Sequence, residues 1–298
     1  MNTKTKSAMI TIAGRPNVGK STLTNRLVGE KIAIVSNKPQ TTRNRICGIV
    51  TKGGTQFVFM DTPGFHKPRT KLGDYMVEVT RESVSDVDAV ILMVEPIAHI
   101  GTQEQELLET MKGDKTPVIL VINKIDTVEK QELLAVIAAY SEARNFDAII
   151  PLSAKTGEGA EDLLRECEKY AQEGPWLFPE DMTSDQPERQ VMAEIIREKL
   201  LWCLEREVPH GTAVEITKFS ERDNGVIDMD ATIYCEKASH KGIIIGKGGE
   251  MLKRISSLAR RDIERFMGTK VYMETWVKVK ENWRDNVNFI RSQGYNEE

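Results

Sequence analysis

Two rhythms of apolar and polar positions divide this chain of 298 residues. From residue 7 to about 173, short and mostly apolar runs alternate with longer stretches in which apolar residues return every three or four positions. The runs "SAMITIAG" (7–14), "AVILMV" (89–94), "PVILVI" (117–122) and residues 148–151 predict strands buried on both faces, as in a parallel sheet. The stretches near 20–27, 72–84, 102–112, 130–143 and 160–172 predict helices with one apolar face. "RICGIVTKGGTQFVFMD" (45–61) turns at Gly53-Gly54, which predicts a hairpin at the antiparallel edge of the sheet. The whole reads as a doubly wound, mostly parallel α/β domain, whose ligands lie beyond the carboxyl ends of the strands.

The rhythm breaks at "EGPWLFPEDMTSDQPE" (173–188), where Pro175, Pro179 and Pro187 stand among acids. This predicts a linker over 175–188, between a first domain at 1–174 and a second at 189–298. The order then changes to helix (190–206), strand (211–219), strand (226–236), a helix, a glycine-rich turn (246–249), helix (250–266), strand (270–278) and helix (280–292). Such an order predicts a smaller α+β domain.

Composition narrows the classes. The chain is long enough for two cores, and 40% apolar with 29% charged residues is the profile of a soluble globular protein. A net charge of −4 gives no global attraction to nucleic acid, so any such binding needs a local patch. The apolar runs are too short to span a bilayer, and "MNTKTKSAMI" lacks the apolar centre of a signal peptide, so the expected location is cytoplasmic. Cys47, Cys167, Cys203 and Cys235 are scattered and read as free thiols, and His66, His99, His210 and His240 have no metal-ligand spacing.

"GRPNVGKS" (14–21) fits G-x-x-x-x-G-K-[ST] between a predicted strand and a predicted helix, the context a phosphate-binding loop needs. Gly14 and Gly19 let backbone N–H groups wrap the phosphates, with Arg15, Pro16, Asn17, Val18 and Thr22 completing the loop. Lys20 reaches the β and γ phosphates and Ser21 coordinates Mg²⁺. Asp61 ends the strand "FVFMD" and is expected to hold Mg²⁺ through water. In the "DTPGF" that it opens, with Thr62 and Pro63, Gly64 can bring its N–H against the γ phosphate. "NKID", with Asn123, Lys124, Ile125 and Asp126, follows another buried strand. Asp126 can accept from N1–H and the amino group of guanine, donors that adenine lacks there, so the expected nucleotide is GTP. Ser153, Ala154 and Lys155, after the next strand, add a backbone N–H to the base. In "NKPQTTRNR" (37–45) either Thr41 or Thr42 can complete the Mg²⁺ shell, with Thr42 favoured, making the loop an order–disorder switch. Many GTP-hydrolysing switches have a glutamine where this chain has Phe65, which can orient no water.

Residues 237–270 hold nine basic side chains (Lys237, Lys241, Lys247, Lys253, Arg254, Arg260, Arg261, Arg265, Lys270) and three acids. Such a patch is an electrostatic footprint for nucleic acid. Inside it, "GIIIGKGG" places a G-x-x-G turn between apolar residues and a helix, where a backbone can approach a sugar–phosphate chain. This resembles the turn of a KH domain, and the element order resembles the type II arrangement, which implies a groove for single-stranded RNA. Lys241, Gly242, Ile245, Gly246, Lys247, Gly248, Gly249, Lys253 and Arg254 are the expected RNA contacts.

A P-loop GTPase domain followed by a type II KH domain, with "GRPNVGKS", "PQTTR", "DTPG", "NKID", "SAK" and "GIIIGKGG" in that order, resembles the bacterial Era GTPases over essentially the whole chain. The resemblance implies GTP-dependent assembly of the small ribosomal subunit, with the KH domain on the 3′ end of its ribosomal RNA, and peripheral contact with the inner face of the membrane. It also places Phe65 among GTPases with an apolar residue for the glutamine, several of which use potassium. Asn17 then becomes a candidate K⁺ ligand, and Asn17, Lys20, Thr42 and Gly64 the expected catalytic set.

Overall fold

The computed structural model describes residues 5–64, 70–83, 86–112 and 115–295. Within them the chain forms two compact units, the first from residues 5–33, 42–64 and 76–185 and the second from 34–41, 70–75 and 186–295.

The first unit is built on strands β1 (Lys6–Ala13), β2 (Ile46–Lys52), β3 (Thr55–Asp61), β4 (Ala89–Val94), β5 (Val118–Ile122) and β6 (Ala148–Pro151), in the spatial order β2-β3-β1-β4-β5-β6. Among these six strands β2 alone runs antiparallel to its neighbour, as the hairpin pattern predicts. Helices α1 (Lys20–Val28), α2 (Lys71–Glu82), α3 (Thr102–Thr110), α4 (Lys130–Ala143) and α5 (Ala160–Cys167) alternate with these strands. Period-two alternation sorts the strand residues onto two faces. Ile91, Met93, Ile119 and Val121 pack with Leu23 and Leu27 of α1 and Leu163 and Leu164 of α5. Val90, Leu92, Leu120 and Ile122 pack with Leu107 of α3 and Val136 and Tyr140 of α4. The sheet is therefore covered on both sides, and loops are left free at the strand ends.

The helix expected over 160–172 ends at Cys167 in a 3₁₀ turn, and β7 (Gln172–Glu173) pairs antiparallel with Ser7 and Lys6. The reason lies in β4, which reaches only Ile10–Ala13 of β1 and leaves the first residues of β1 unpaired on that side. The stretch expected as a linker also makes backbone contacts through Asp185. Ile49 donates to the carbonyl of Thr183 at 2.9 Å, Cys47 donates to Asp185 Oδ1 at 3.0 Å, and Gly48 bridges Ser184. The fully buried Gln56 accepts from the N–H groups of Leu177 and Phe178, each at 2.9 Å. Residues 183–185 thus form a strap over the open edge of β2, which would otherwise expose unpaired backbone.

The second unit contains α6 (Glu188–Cys203), β8 (Thr212–Glu221), β9 (Ile227–Cys235), α7 (Ala238–Ile245), α8 (Glu250–Met267), β10 (Val271–Val279) and α9 (Val287–Ser292). Its sheet is ordered β10-β9-β8, with β9 parallel to β10 and antiparallel to β8. Val191, Ile195 and Leu200 of α6 and Ile255, Ala259 and Ile263 of α8 cover one face, against Met229, Ala231 and Ile233. The helix expected over 280–292 is divided. Trp283 is wholly buried and donates to the carbonyl of Gly211 at 2.9 Å, and Asn286 Oδ1 then accepts from Phe289 N at 3.0 Å, capping a new helix. Two segments outside the expected domain also belong here: residues 34–41, held on α6, and residues 70–75, where Lys71 N donates to Asp285 Oδ1 at 3.0 Å.

Candidate nucleotide and nucleic-acid sites

Four loops of the first unit follow β1, β3, β5 and β6 at their carboxyl ends, and each carries one of the motifs read in the sequence. The phosphate loop runs from Gly14 to the start of α1, with Asn17 in the left-handed region at φ 67. Lys20 is 6% exposed, and its Nζ donates to the carbonyls of Gly14 at 3.0 Å and Arg15 at 3.2 Å. Burial lowers its pKa to about 8, partly countered by Asp61. Asp61 is wholly buried, and neither of its carboxylate oxygens has a hydrogen-bond partner. Burial raises its pKa to about 6, against the pull of Lys20 and of the nearby Ser21 hydroxyl, which stands outside hydrogen-bond geometry. A buried carboxylate with unused lone pairs is costly unless a cation completes it. Beside it, Ser21 Oγ lies 2.9 Å from Thr42 Oγ1. The donor set of two hydroxyls and a carboxylate is all oxygen, as Mg²⁺ requires.

Thr41 and Thr42 part company here. Thr41 Oγ1 donates to the carbonyl of Lys38 at 2.6 Å, whereas Thr42 turns to Ser21. Thr62 Oγ1 donates to Ile12 O at 3.0 Å, and Pro63 O accepts from Thr80 at 3.1 Å, which fix the strand end. Gly64 follows against the phosphate loop, where a Cβ would fall 2.8 Å from Pro16 Cα. Only glycine allows this approach. Phe65 lies outside the described residues.

The loops expected to read the base are tied to the phosphate loop by Asn123. Its Nδ2 donates to Val18 O at 2.7 Å and its Oδ1 accepts from Ala154 N at 2.9 Å, so the buried amide joins three loops. Asp126 is exposed, and one oxygen accepts from Ser153 Oγ at 2.7 Å, which orients the carboxylate. Ile125 N donates to Leu152 O, closing the same corner. Several supporting side chains carry no motif and escape a sequence reading. Glu95, just after β4, pairs with both Arg15 and Lys124; Arg15 also reaches the buried Glu104 at 2.7 Å. Arg26 of α1 donates to the carbonyls of Ala154 and Lys155. Thr22 sits in the first turn of α1, half-buried.

In the second unit the G-x-x-G turn leads from α7 to α8. Gly248 has φ 60 and no atom within 4 Å of a Cβ position, so it needs a left-handed backbone and leaves open space above it. Beside the turn, a groove of about 450 Å³ runs between α8 (Gly249, Leu252, Lys253, Ser256, Ser257, Arg260) and β10 (Val271, Tyr272, Met273, Thr275). Gly249 and Lys253 of the expected set line it. Ile245 is half-buried, Gly246 starts the turn, and Lys241, Gly242, Lys247 and Arg254 are exposed. Among the described residues no ion pair engages Lys241, Lys247, Lys253 or Arg254, while Arg260, Arg265 and Lys270 face Glu264 or Asp262. The groove is partly polar: Ser256 Oγ and Thr275 Oγ1 lie 2.9 Å apart within it.

A phosphate loop, a buried metal-seeking carboxylate and a guanine-type reading loop on one sheet, with a KH-type turn on a second unit, define the class: a P-loop GTPase carrying an RNA-binding module. Residues 9–124 match the model of the 50S ribosome-binding GTPase family, and residues 207–284 match that of the KH domain. The chain is 52% identical over 290 residues to the GTPase Era of Ruminiclostridium cellulolyticum, covering 97% of each chain. It is 49% identical over 294 residues to that of Clostridioides difficile, covering 98% of this chain and 99% of the other. A crystal structure of Era in complex with MgGDPNP and nucleotides 1506–1542 of 16S ribosomal RNA is similar at a TM-score of 0.94 and 36% identity, over 98% of this chain and all of that one. An Aquifex aeolicus Era variant bound to GDP and AlF4⁻ is similar at the same TM-score and 37% identity, again over 98% of this chain and all of that one. The chain belongs to the Era family of GTPases.

Proposed function

We propose that the chain hydrolyses GTP and uses the groove of its second unit to bind single-stranded RNA at the 3′ end of small-subunit ribosomal RNA, acting in assembly of that subunit. The observation that carries the nucleotide half is the wholly buried, unpartnered carboxylate of Asp61 beside the hydroxyls of Ser21 and Thr42. Ser21, Thr42 and, through water, Asp61 would hold Mg²⁺. Mg²⁺, when bound, neutralises charge on the β and γ phosphate oxygens. Lys20 exchanges the carbonyls of Gly14 and Arg15 for those phosphates, and the N–H of Gly64 faces the γ phosphate. Asp126 accepts from the guanine edge, and the Ala154 region stays closed over the base because Asn123 holds it.

The RNA half is supported by the unpaired lysines beside the G-x-x-G turn and by the exposed Tyr272 on the far wall, a surface on which a base can stack. The relative crystallised with MgGDPNP and 16S ribosomal RNA nucleotides supports the choice of RNA. Turnover of GTP with and without a short RNA of that 3′ sequence tests the reading, together with RNA affinity measured across salt concentrations. Salt-dependent binding of this RNA and measurable turnover are expected; equal affinity for duplex DNA would contradict it.

For Phe65 the reading is that backbone groups orient the water and that K⁺, held by Asn17, adds positive charge. Turnover in potassium against sodium at matched ionic strength, with Asn17→Ala alongside, tests it; equal rates in both salts would remove K⁺. The expected contact with the inner membrane face rests on the family resemblance alone. No described helix is long and apolar enough to cross a membrane, and flotation with anionic vesicles tests surface contact.

A further inference from the structure

The magnesium-side threonine stands at the end of a segment whose anchorage lies on α6. Residues 34–41 are held there by several bonds. Val35 N donates to Glu198 Oε1 at 2.9 Å, Trp202 Nε1 donates to Val35 O at 3.0 Å, and Lys38 Nζ donates to the carbonyl of Leu204. The last hold is Arg197. Its guanidinium is 1% exposed and clamped by Glu194, with Nε 2.7 Å from one carboxylate oxygen and an Nη on the other. Its outer N–H groups point to the carbonyls of Gln40, at 3.5 Å, and Thr41. Gln40 stands at φ 58, a left-handed conformation that a side chain with a Cβ rarely adopts unless something holds it. One peptide bond further on, Thr42 is 8% exposed with its hydroxyl beside Ser21.

We infer that Arg197 is a positioning residue for GTP hydrolysis: it fixes the carbonyls of Gln40 and Thr41 in the left-handed bend that turns the Thr42 hydroxyl toward Ser21. Arg197 touches neither nucleotide nor metal in this role. An arginine suits it because one planar fork serves a carboxylate on one edge and two carbonyls on the other, whereas lysine offers a single point of charge. GTP hydrolysis needs Thr42 in place; GDP, lacking the γ phosphate, does not. Loss of Arg197 therefore separates turnover from GDP binding, which distinguishes positioning from general support of the fold. The inference rests on the reading of Thr42 as a magnesium ligand.

The test uses the full chain with Arg197→Met and Arg197→Lys, measuring kcat, KM, the Mg²⁺ concentration for half-maximal turnover, and affinity for a fluorescent GDP. The expected result is a kcat reduced roughly ten- to a hundredfold in Arg197→Met, the scale on which a small misplacement acts. Arg197→Lys falls between, the Mg²⁺ requirement rises, and GDP affinity is unchanged. Adding Gln40→Gly to Arg197→Lys recovers part of the rate, because glycine takes the left-handed bend unaided. If Arg197→Met fails to fold, the lysine variant and its glycine rescue decide. Unchanged kcat and Mg²⁺ requirement in a folded variant, or GDP affinity falling in step with kcat, would overturn the inference. Thr42→Ala is measured alongside. If it leaves turnover intact, the magnesium reading falls and the inference with it; if it slows turnover while the Arg197 variants do not, the inference alone falls.

Discussion

The two sites solve opposite problems. The nucleotide site is made of buried groups: Lys20, Thr42, Asp61, Asn123 and Ser153 are each 8% exposed or less, and all but Asp61 are already held by hydrogen bonds. The groove beside α8 is half-open, with Lys253, which no ion pair engages among the described residues, on one wall and Tyr272, 53% exposed, on the other. A small polyanion of fixed shape can be met by preorganised donors in a site of low dielectric, where each is worth more than in water. A flexible polymer is met by charges that release counterions and by surfaces that accept stacked bases. One site therefore fails steeply when a single group is lost, and the other fails gradually.

The steepest loss is expected for Lys20→Ala. Removing this preorganised charge should cut GTP turnover by about 10²–10³ while RNA affinity stays the same, as read by phosphate release and by RNA binding on one preparation. Next comes pH. Because burial raises the Asp61 pKa to about 6, a proton competes with Mg²⁺ below that value, and apparent Mg²⁺ affinity should fall up to about tenfold per pH unit. The sign for the metal-free protein is opposite. An acid whose folded pKa is raised favours folding as pH falls through about 6 toward its ordinary value near 4, so thermal stability without Mg²⁺ should rise over that window. Asp61→Asn should flatten both dependences.

The groove should respond in smaller steps. Lys247→Ala and Lys253→Ala should each lower the slope of log affinity against log salt by about one, with turnover unchanged. The smallest effect belongs to Glu95→Gln, which loosens Arg15 and Lys124 together. These ion pairs are partly exposed, and pairs of that kind contribute about 1 kcal/mol or less. GTP affinity should weaken a few-fold at low salt and less at high salt.

The same contrast governs what the sequence reveals. The phosphate loop, "DTPG", "NKID" and "SAK" are legible because each is a contiguous run at a strand end, and the sheet brings strand ends together. Glu95, Glu104 and Arg26 are not, because their partners lie in loops and helices whose packing no periodicity encodes. In the second unit the basic turn is legible, while Ser256, Tyr272 and Thr275 become visible only once α8 is laid against β10. The helix breaks near 167 and 286 depend on a free stretch of β1 and on the burial of Trp283, both set by tertiary neighbours. Likewise, nothing in "AIVSNKPQT" announces that residues 34–41 are held by a helix more than 150 positions away. Their bonds run mostly through backbone groups, which leave no trace in residue type.

The central claim is that one chain carries a guanine-nucleotide site and an RNA groove on separate units. Measuring GTP affinity and RNA affinity for both Asp126→Asn and Gly248→Asp tests it most directly. Asp126→Asn should lose GTP by about 10² or more and gain xanthosine triphosphate, with RNA binding intact. Gly248→Asp has room for its side chain, and aspartate tolerates the left-handed backbone at φ 60 better than most residues; it sets a negative charge where the RNA backbone would pass, so it should lose RNA and keep GTP. Either variant losing both ligands, or neither variant losing its own, would contradict the account.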